Sequence, residues 1–313
     1  MSKTERKPSK IKKCFARCRQ DCNILYELTR KSVKTQYRGS VLGMLWTVLN
    51  PLLNMGIMYV VFSQFFGAGD GAYAVYLLTG NIMFASLRAS TDGALGSVVA
   101  NRGLLLRTKI SPHLFPISSV SSALVSFGFS FIALILIMLG MEIFGGIHLF
   151  GVQMLLVLAM LPALLLFETG IGLALSAIYV YGRDIRHFYS VFLTLWTYLT
   201  PIFYKVDTFV SVAKDGSLAK PFALKVVECN PMYYFVQYFR ESIYYVNYRG
   251  ESIWLPTIKT TVNGETISQT ISLVPAVLQN VPMLLWLYIL GIASCVIGVG
   301  LFSVLKKRFA THL

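Results

Sequence analysis

Charged residues are scarce in this chain: Asp, Glu, Lys and Arg make up 13% of its 313 positions, against about a quarter in soluble domains. None lies between Arg38 and Asp70, Lys109 and Glu142, Arg186 and Lys205, or Glu265 and Lys306. Such gaps exclude a soluble helical core, because a bilayer-crossing helix needs roughly 20 mostly apolar residues. There is no GxxxxGK[ST] and no glycine-rich loop after a strand, which excludes ATP hydrolysis by the chain itself. His113, His148, His187 and His312 stand apart from one another and from paired carboxylates. With no Ser/His/Asp or Cys/His constellation, a conduit is a better reading than an enzyme. No internal repeat is visible, so a complete pathway requires two copies rather than two halves of one chain. The five cysteines are scattered and indicate no disulfide framework. Cys14, Cys18 and Cys22 share a helix face, but thiols among Lys and Arg without a His partner make a poor metal site. Neither metal nor cofactor is expected. The basic start lacks the apolar stretch and small-residue cleavage pattern of a removable signal peptide.

What is present is apolar and basic. Hydrophobic residues are 55% of the chain and its net charge is +14. The basic residues flank apolar segments, so topology and anionic headgroups account for them and no nucleic-acid partner is expected. Residues 1–20 form a basic tail. Over 21–38, Glu27, Arg30, Lys31, Lys34 and Arg38 share one helical face, and Ile24, Leu25, Leu28 and Val33 the other. That pattern predicts an amphipathic helix in the membrane interface. The predicted fold is an all-α membrane protein, with a membrane domain over 39–305 and a short tail over 306–313. Its six spans are expected at 41–66, 72–90, 112–141, 152–181, 187–204 and 280–305. Lys and Arg crowd the ends and connections on one side, which places both termini in the cytoplasm.

Two connections exceed what a turn needs. The cytoplasmic one, 91–111, carries a small-residue helix candidate over 91–106, where a partner could dock. The external one, 205–279, holds an aromatic amphipathic run over 230–245, then Asn263-Gly264 between β-branched residues, a hairpin signal. Polarity inside the spans is patterned. Trp46, Thr47, Asn50, Asn54, Met58 and Phe65 occupy about a third of one helical wheel. Amides facing lipid are costly, so this stripe is expected to face protein or a water-filled path. Tyr189, Phe192, Trp196, Thr200 and Phe203 form a second stripe, suited to stacking on sugar rings or to helix packing. Glu168 is an acid inside a span. Arg88 sits at matching depth in the second span, so the expectation is an Arg88–Glu168 ion pair, the alternative being Arg88 in the cytoplasmic headgroups.

Five segments carry a family resemblance. LTRKSVKTQYRGSVLGMLWTVLNPLL (28–53), NRGLLLRTKISPHLFPISSV (101–120), YVYGRDIRHF (179–188), TPIFY (200–204) and NPMYYFVQYFRESIYY (230–245) resemble, in that order, permease subunits of ABC exporters for polysaccharides and polyol phosphates. These carry O-antigen, capsule and teichoic acid. The resemblance covers nearly the whole chain; the insertion 246–278 and the Lys/Cys-rich start depart from it. It implies a homodimer with two copies of a separate ATP-binding subunit. The helix 21–38 becomes a gate at the cytoplasmic entrance, and 91–111 a coupling segment with Ser97, Asn101 and Arg102 as docking residues. Spans one and five line the channel through Trp46, Asn50, Asn54, Met58, Phe65, Tyr189, Phe192, Trp196, Thr200 and Phe203. The run 230–245 is a re-entrant cap.

The expected function is therefore export of an undecaprenyl-type lipid-linked glycan across the cytoplasmic membrane. Arg30, Lys31, Lys34 and Arg38 would attract its pyrophosphate. A small-molecule or drug exporter would suit a wide apolar cavity better than an aromatic-polar track. A membrane-embedded glycosyltransferase would want an acid pair at the membrane face. A non-transporting scaffold has no use for the polar stripe.

Overall fold

The computed structural model describes residues 10–36, 43, 45–66, 71–108, 110–145, 152–204, 222–244, 260–262, 265–267 and 273–309. Among them the long helices are α1 (Lys10–Gln36), α2 (Leu45–Phe66), α3 (Gly71–Ala100), α5 (Leu114–Gly145), α6 (Leu156–Tyr181), α7 (Ile185–Leu199) and α10 (Leu273–Leu305). Shorter ones are α4 (Arg102–Arg107), α8 (Phe222–Glu228) and α9 (Pro231–Tyr244). Two short antiparallel strands, Thr260–Val262 and Glu265–Ile267, pair Val262 with Glu265 around the predicted Asn-Gly turn.

Among the described residues, three stretches are long and apolar enough to cross a bilayer: Leu114–Gly140, Leu156–Tyr181 and Pro282–Leu305. The other expected spans also carry helices, with features that set them apart. Helix α2 is apolar, with Pro51 inside it, and carries the amides of Asn50 and Asn54. Helix α3 includes Arg88 and Asp92. Helix α7 has 15 residues, shorter than the roughly 20 that span the hydrocarbon; Pro201 stands just beyond it, and a residue before proline is driven out of the helical region. The surface is inverted relative to a soluble protein. Ile132, Leu136, Ile143, Leu158, Val296, Ile297 and Val304 face outward, while Glu168, Arg240, Ser86, Ser90 and Thr91 are inside. An apolar exterior over a polar-seasoned interior is what lipid selects, and the chain is a multi-pass membrane protein.

Two expected boundaries are not observed. The helix predicted over 21–38 begins at Lys10, because neither glycine nor proline interrupts 10–36. No break separates a basic tail from an amphipathic segment among the described residues. Likewise no new helix starts at Thr91: α3 runs to Ala100. Its hydroxyls stay compatible with the helix by bonding back, Thr91 Oγ1 to the Leu87 carbonyl (2.6 Å) and Ser97 Oγ to that of Ala94 (2.7 Å). The break falls at Asn101, whose backbone leaves the helical region and whose Nδ2 donates to the Ser97 carbonyl at 2.8 Å.

Packing is tightest between α6 and α10. Gly170 and Gly298 bring the two backbones into contact, and a Cβ at Gly291 would stand 2.6 Å from the Ala163 carbonyl. Side chains then bond across: Ser294 Oγ to the Phe167 carbonyl and Tyr288 Oη to that of Ala159, both at 2.9 Å. Small residues permit this approach, as membrane helices require where no hydrophobic effect drives them together. Helix α9 lies against α3, α6 and α10; Phe235 packs on Phe167 (5.1 Å between ring centres) and Tyr234 on Trp286 (6.4 Å). Helix α1 lies on α5, where Ser32 Oγ meets Ser122 Oγ at 3.4 Å. At that end, Asp21 and Lys306 both act electrostatically on half-buried His113. There a small second core gathers Val98, Val180, Phe302 and Phe309. This is the basic end of the bundle; the start of α3 and the residues after α7 lie at the far end.

Candidate functional site

The polar stripe of α2 faces away from the rest of the chain. Trp46, Asn50 and Asn54 are exposed, and Met58 turns inward to pack on the core. The side chains of Thr47 and Phe65 lie outside the described residues. Asn50 and Asn54 are one turn apart and so share a face, flanked by outward Leu53 and Ile57. Two amides on the open side of a greasy helix need a polar neighbour, and none is supplied among the described residues.

The α7 stripe divides. Tyr189, Trp196 and Thr200 are buried. Trp196 Nε1 donates to Asn230 Oδ1 at 2.7 Å, and Asn230 Nδ2 donates to Thr200 Oγ1 at 2.9 Å. The same Asn230 Oδ1 accepts the backbone N–H of Met232 at 3.0 Å, capping α9. Phe203 is partly buried against the core, while Phe192 remains half exposed. For Tyr189, Trp196 and Thr200 helix packing is the observed role in this structure, not contact with an open path. The open face is the opposite one: Phe188 (74% exposed), Val191, Leu195 and Tyr198 (65%), with the hydroxyls of Ser190 and Thr194 one turn apart. Sequence reasoning missed it by following the largest rings. The paired hydroxyls at 190 and 194 were the available signal.

Arg88 and Glu168 are not brought together. Glu168 is 1% exposed and accepts a hydrogen bond from Ser86 Oγ at 2.8 Å. Arg88 is exposed, donates to Thr197 Oγ1 at 3.1 Å and lies 5.9 Å from the Phe84 ring centre. The reason is angular. Positions 86 and 88 are about 200° apart around a helix of 3.6 residues per turn, so only one of them can face α6. Equal depth was not sufficient. Further along the same edge, Asp92 experiences both Arg88 and Arg186; burial nonetheless holds its carboxyl above the ordinary value. The Arg186 guanidinium lies 5.5 Å from the Tyr179 ring centre.

At the basic end, Ser97 is buried and occupied by its own helix, so it offers nothing to a docking partner. Asn101 is half-buried and Arg102 exposed. Helix α4 has no buried residue: Leu104 and Leu106 are exposed, and Leu105 packs against the second core. Arg30, Lys31 and Lys34 are exposed on α1; Arg38 lies outside the described residues. Burial lowers the pKa of His113 from its ordinary value; Asp21 opposes that shift and Lys306 adds to it. Cys22 is exposed, and the side chains of Cys14 and Cys18 lie outside the described residues.

The family model for ABC-2 type transporters matches residues 24–244. An O-antigen export system permease protein RfbA from Klebsiella pneumoniae is 24% identical over 296 residues, covering 93% of this chain and 95% of that protein. A second from the same organism is 25% identical over 304 residues, with the same coverage. One from Myxococcus xanthus is 29% identical over 185 residues, 59% of this chain and 69% of that protein.

Proposed function

Because the chain belongs to the ABC-2 type transporter family, we propose that it is the membrane-spanning subunit of an ATP-driven exporter carrying a lipid-linked polysaccharide across the cytoplasmic membrane. The near full-length similarity to O-antigen export permeases supports the cargo class. The observation that carries the conduit is the outward amide pair Asn50 and Asn54, because polar groups in a spanning helix imply a polar path or a partner.

In this reading the chain crosses the bilayer six times, with both termini cytoplasmic and the basic end facing the cytoplasm. Two copies face each other across α2 and α7. Trp46, Asn50, Asn54, Phe188, Ser190, Phe192, Thr194 and Tyr198 supply stacking faces and hydrogen bonds. Each contact is weak, so a chain of sugars can advance past them. Helix α1 acts as a gate, and Arg30, Lys31, Lys34 and Arg38 hold the pyrophosphate of an undecaprenyl-type carrier by charge-assisted hydrogen bonds. Two ATP-binding subunits seat α4 through Leu104, Leu106 and Arg102. Movement of α4 is passed to the second core through Leu105. Helix α9 re-enters from outside and caps the exit.

The test is depletion of the chain in its host, followed by extraction of lipid-linked glycans, with affinity purification of the tagged chain in parallel. Accumulation of carrier-linked glycan inside the cell, and an ATP-binding subunit in the eluate, are the expected results. Normal surface glycan with no internal accumulation overturns the cargo assignment. Purification without any ATP-binding subunit overturns the exporter.

A further inference from the structure

Arg240, on α9, is a buried cation at 1% exposure. Its Nη1 donates to the Pro201 carbonyl at 2.6 Å; its Nη2 donates to the carbonyls of Ile202 (3.2 Å) and Tyr76 (3.3 Å). Its Cζ lies 3.6 Å from the centre of the Tyr76 ring. Tyr76 joins the same knot from α3, donating Oη to the carbonyls of Tyr204 (2.6 Å) and Pro201 (3.2 Å). Gly80 leaves the room: a Cβ there would stand 2.6 Å from Arg240 Nη2 and 3.3 Å from Ile202 Cα.

The chemistry explains why an arginine is here. Pro201 stops α7 and leaves carbonyls beyond it without helical amide partners. A planar guanidinium has five donors in a fixed fork and stacks on an aromatic face, so one side chain serves three carbonyls from two elements. Burying that charge is costly, and for stability alone an apolar residue would serve as well. Its distinctive effect is geometric. The interhelical hydrogen bonds of α7 concentrate at Trp196, Thr197 and Thr200, and the guanidinium fixes the two residues that follow. Toward the basic end α7 is held by packing alone: Tyr189 and Leu193 are buried, Arg186 lies over Tyr179, and no hydrogen bond from 185–195 reaches another helix among the described residues.

We propose that Arg240 is a positioning residue for transport: it pins the far end of α7 to α3 and α9, so that α7 is held at one end and moves at the other. The proposal rests on the reading above in that α7 lines the conduit.

The experiment uses the full chain in lipid nanodiscs for exchange and in cells for export. In Arg240→Ala, amide hydrogen exchange over 196–204 is expected to rise about tenfold or more, the loss of charged hydrogen bonds at one site; exchange in α5 and α6 is unchanged. Arg240→Lys keeps the charge without the fork and gives an intermediate rise, which covers the case where the alanine variant does not fold. The discriminating step replaces the pin with a covalent one. Gly80→Cys with Ile202→Cys brings two Cβ atoms within about 4 Å, the separation a disulfide needs, and removing the arginine side chain clears space for it. In the triple variant G80C/I202C/R240A, oxidation is expected to restore slow exchange and export, and reduction to abolish both. Unchanged exchange over 196–204 without the guanidinium overturns the proposal. So does undiminished export in R240A, failure of the disulfide to form, or a formed disulfide that leaves export impaired. If the wild-type chain moves no glycan, the cargo reading fails by itself, and the exchange measurements still decide whether Arg240 is the pin.

Discussion

The indole N–H of Trp196 is bonded to the side-chain oxygen of Asn230 at 2.7 Å, deep inside the chain. One amide thereby closes three needs: the Trp196 donor, the Thr200 hydroxyl and the first turn of α9. Substituting Asn230→Ala strands a buried indole donor and uncaps a helix. The expected loss is about 2–4 kcal/mol, from one buried unsatisfied group plus one lost cap. Unfolding in detergent, followed by tryptophan fluorescence, measures it. A loss below ~0.5 kcal/mol means that the bond carries no weight.

Trp196 and Tyr198 differ in what they do, although both are large rings two positions apart. Trp196→Ala is expected to cost about 3–5 kcal/mol, as truncation of a buried aromatic does, and to reduce the amount of folded protein. Tyr198→Ala and Phe192→Ala leave folded yield unchanged and slow export. Surface glycan per folded copy separates the two. Equal behaviour of all three variants contradicts the division of the stripe.

The amides of α2 are predicted to be dispensable for folding and needed for passage. Asn50→Leu with Asn54→Leu makes the helix more compatible with lipid by several kcal/mol of transfer free energy, so insertion stays normal. Export falls. Wild-type export in the doubly substituted chain removes the main support for a polar path.

Glu168 depends on Ser86 and not on Arg88. Ser86→Ala leaves a buried carboxyl short of its donor and should destabilise by about 1–3 kcal/mol. Arg88→Ala, at an exposed position, should stay within ~0.5 kcal/mol of wild type. Exchanging the charges at 88 and 168 together rescues nothing, because the two were never paired. A thermal melt of the three variants is enough to decide.

His113 makes stability pH-dependent. Burial holds its folded pKa below the ordinary 6.5, so in the window below 6.5 the unfolded chain binds more protons than the folded one. Stability therefore rises with pH through that window. The contribution is complete above 6.5 and is lost as pH falls towards the folded pKa. Melting temperature measured from pH 5 to pH 7.5 should show a slope that His113→Gln flattens. An identical slope in both proteins assigns the dependence elsewhere.

Much of the architecture was legible because it follows from one-dimensional rules. Charge-free stretches mark the helices, the face bearing Arg30, Lys31 and Lys34 marks α1 as amphipathic, and Asn263-Gly264 marks the hairpin. What could not be read needs a second dimension. Depth along a helix matched Arg88 to Glu168, but rotation about the axis placed Ser86 there instead. Spacing put Trp196 on a stripe fit for sugar stacking or for helix packing, and the position of Asn230, 34 residues later, decides between them. The end of α3 was placed ten residues early because the apolar run ends near Arg88, and the hydroxyls of Ser90 and Thr91 carry the helix on by bonding to carbonyls of the preceding turn. Arg240 sits in an aromatic run where nothing local marks it as buried; the carbonyls that claim it are about 40 and 160 residues away in sequence.

Tyr234 leans on Trp286, so the chain leaves α9 and comes back to a helix that α9 already touches. A connection between two packed helices can be lengthened or trimmed cheaply, since closure entropy grows only with the logarithm of its length. The stretch between 245 and 272 is thus a place where the sequence can be rewritten while the helices it joins keep their packing.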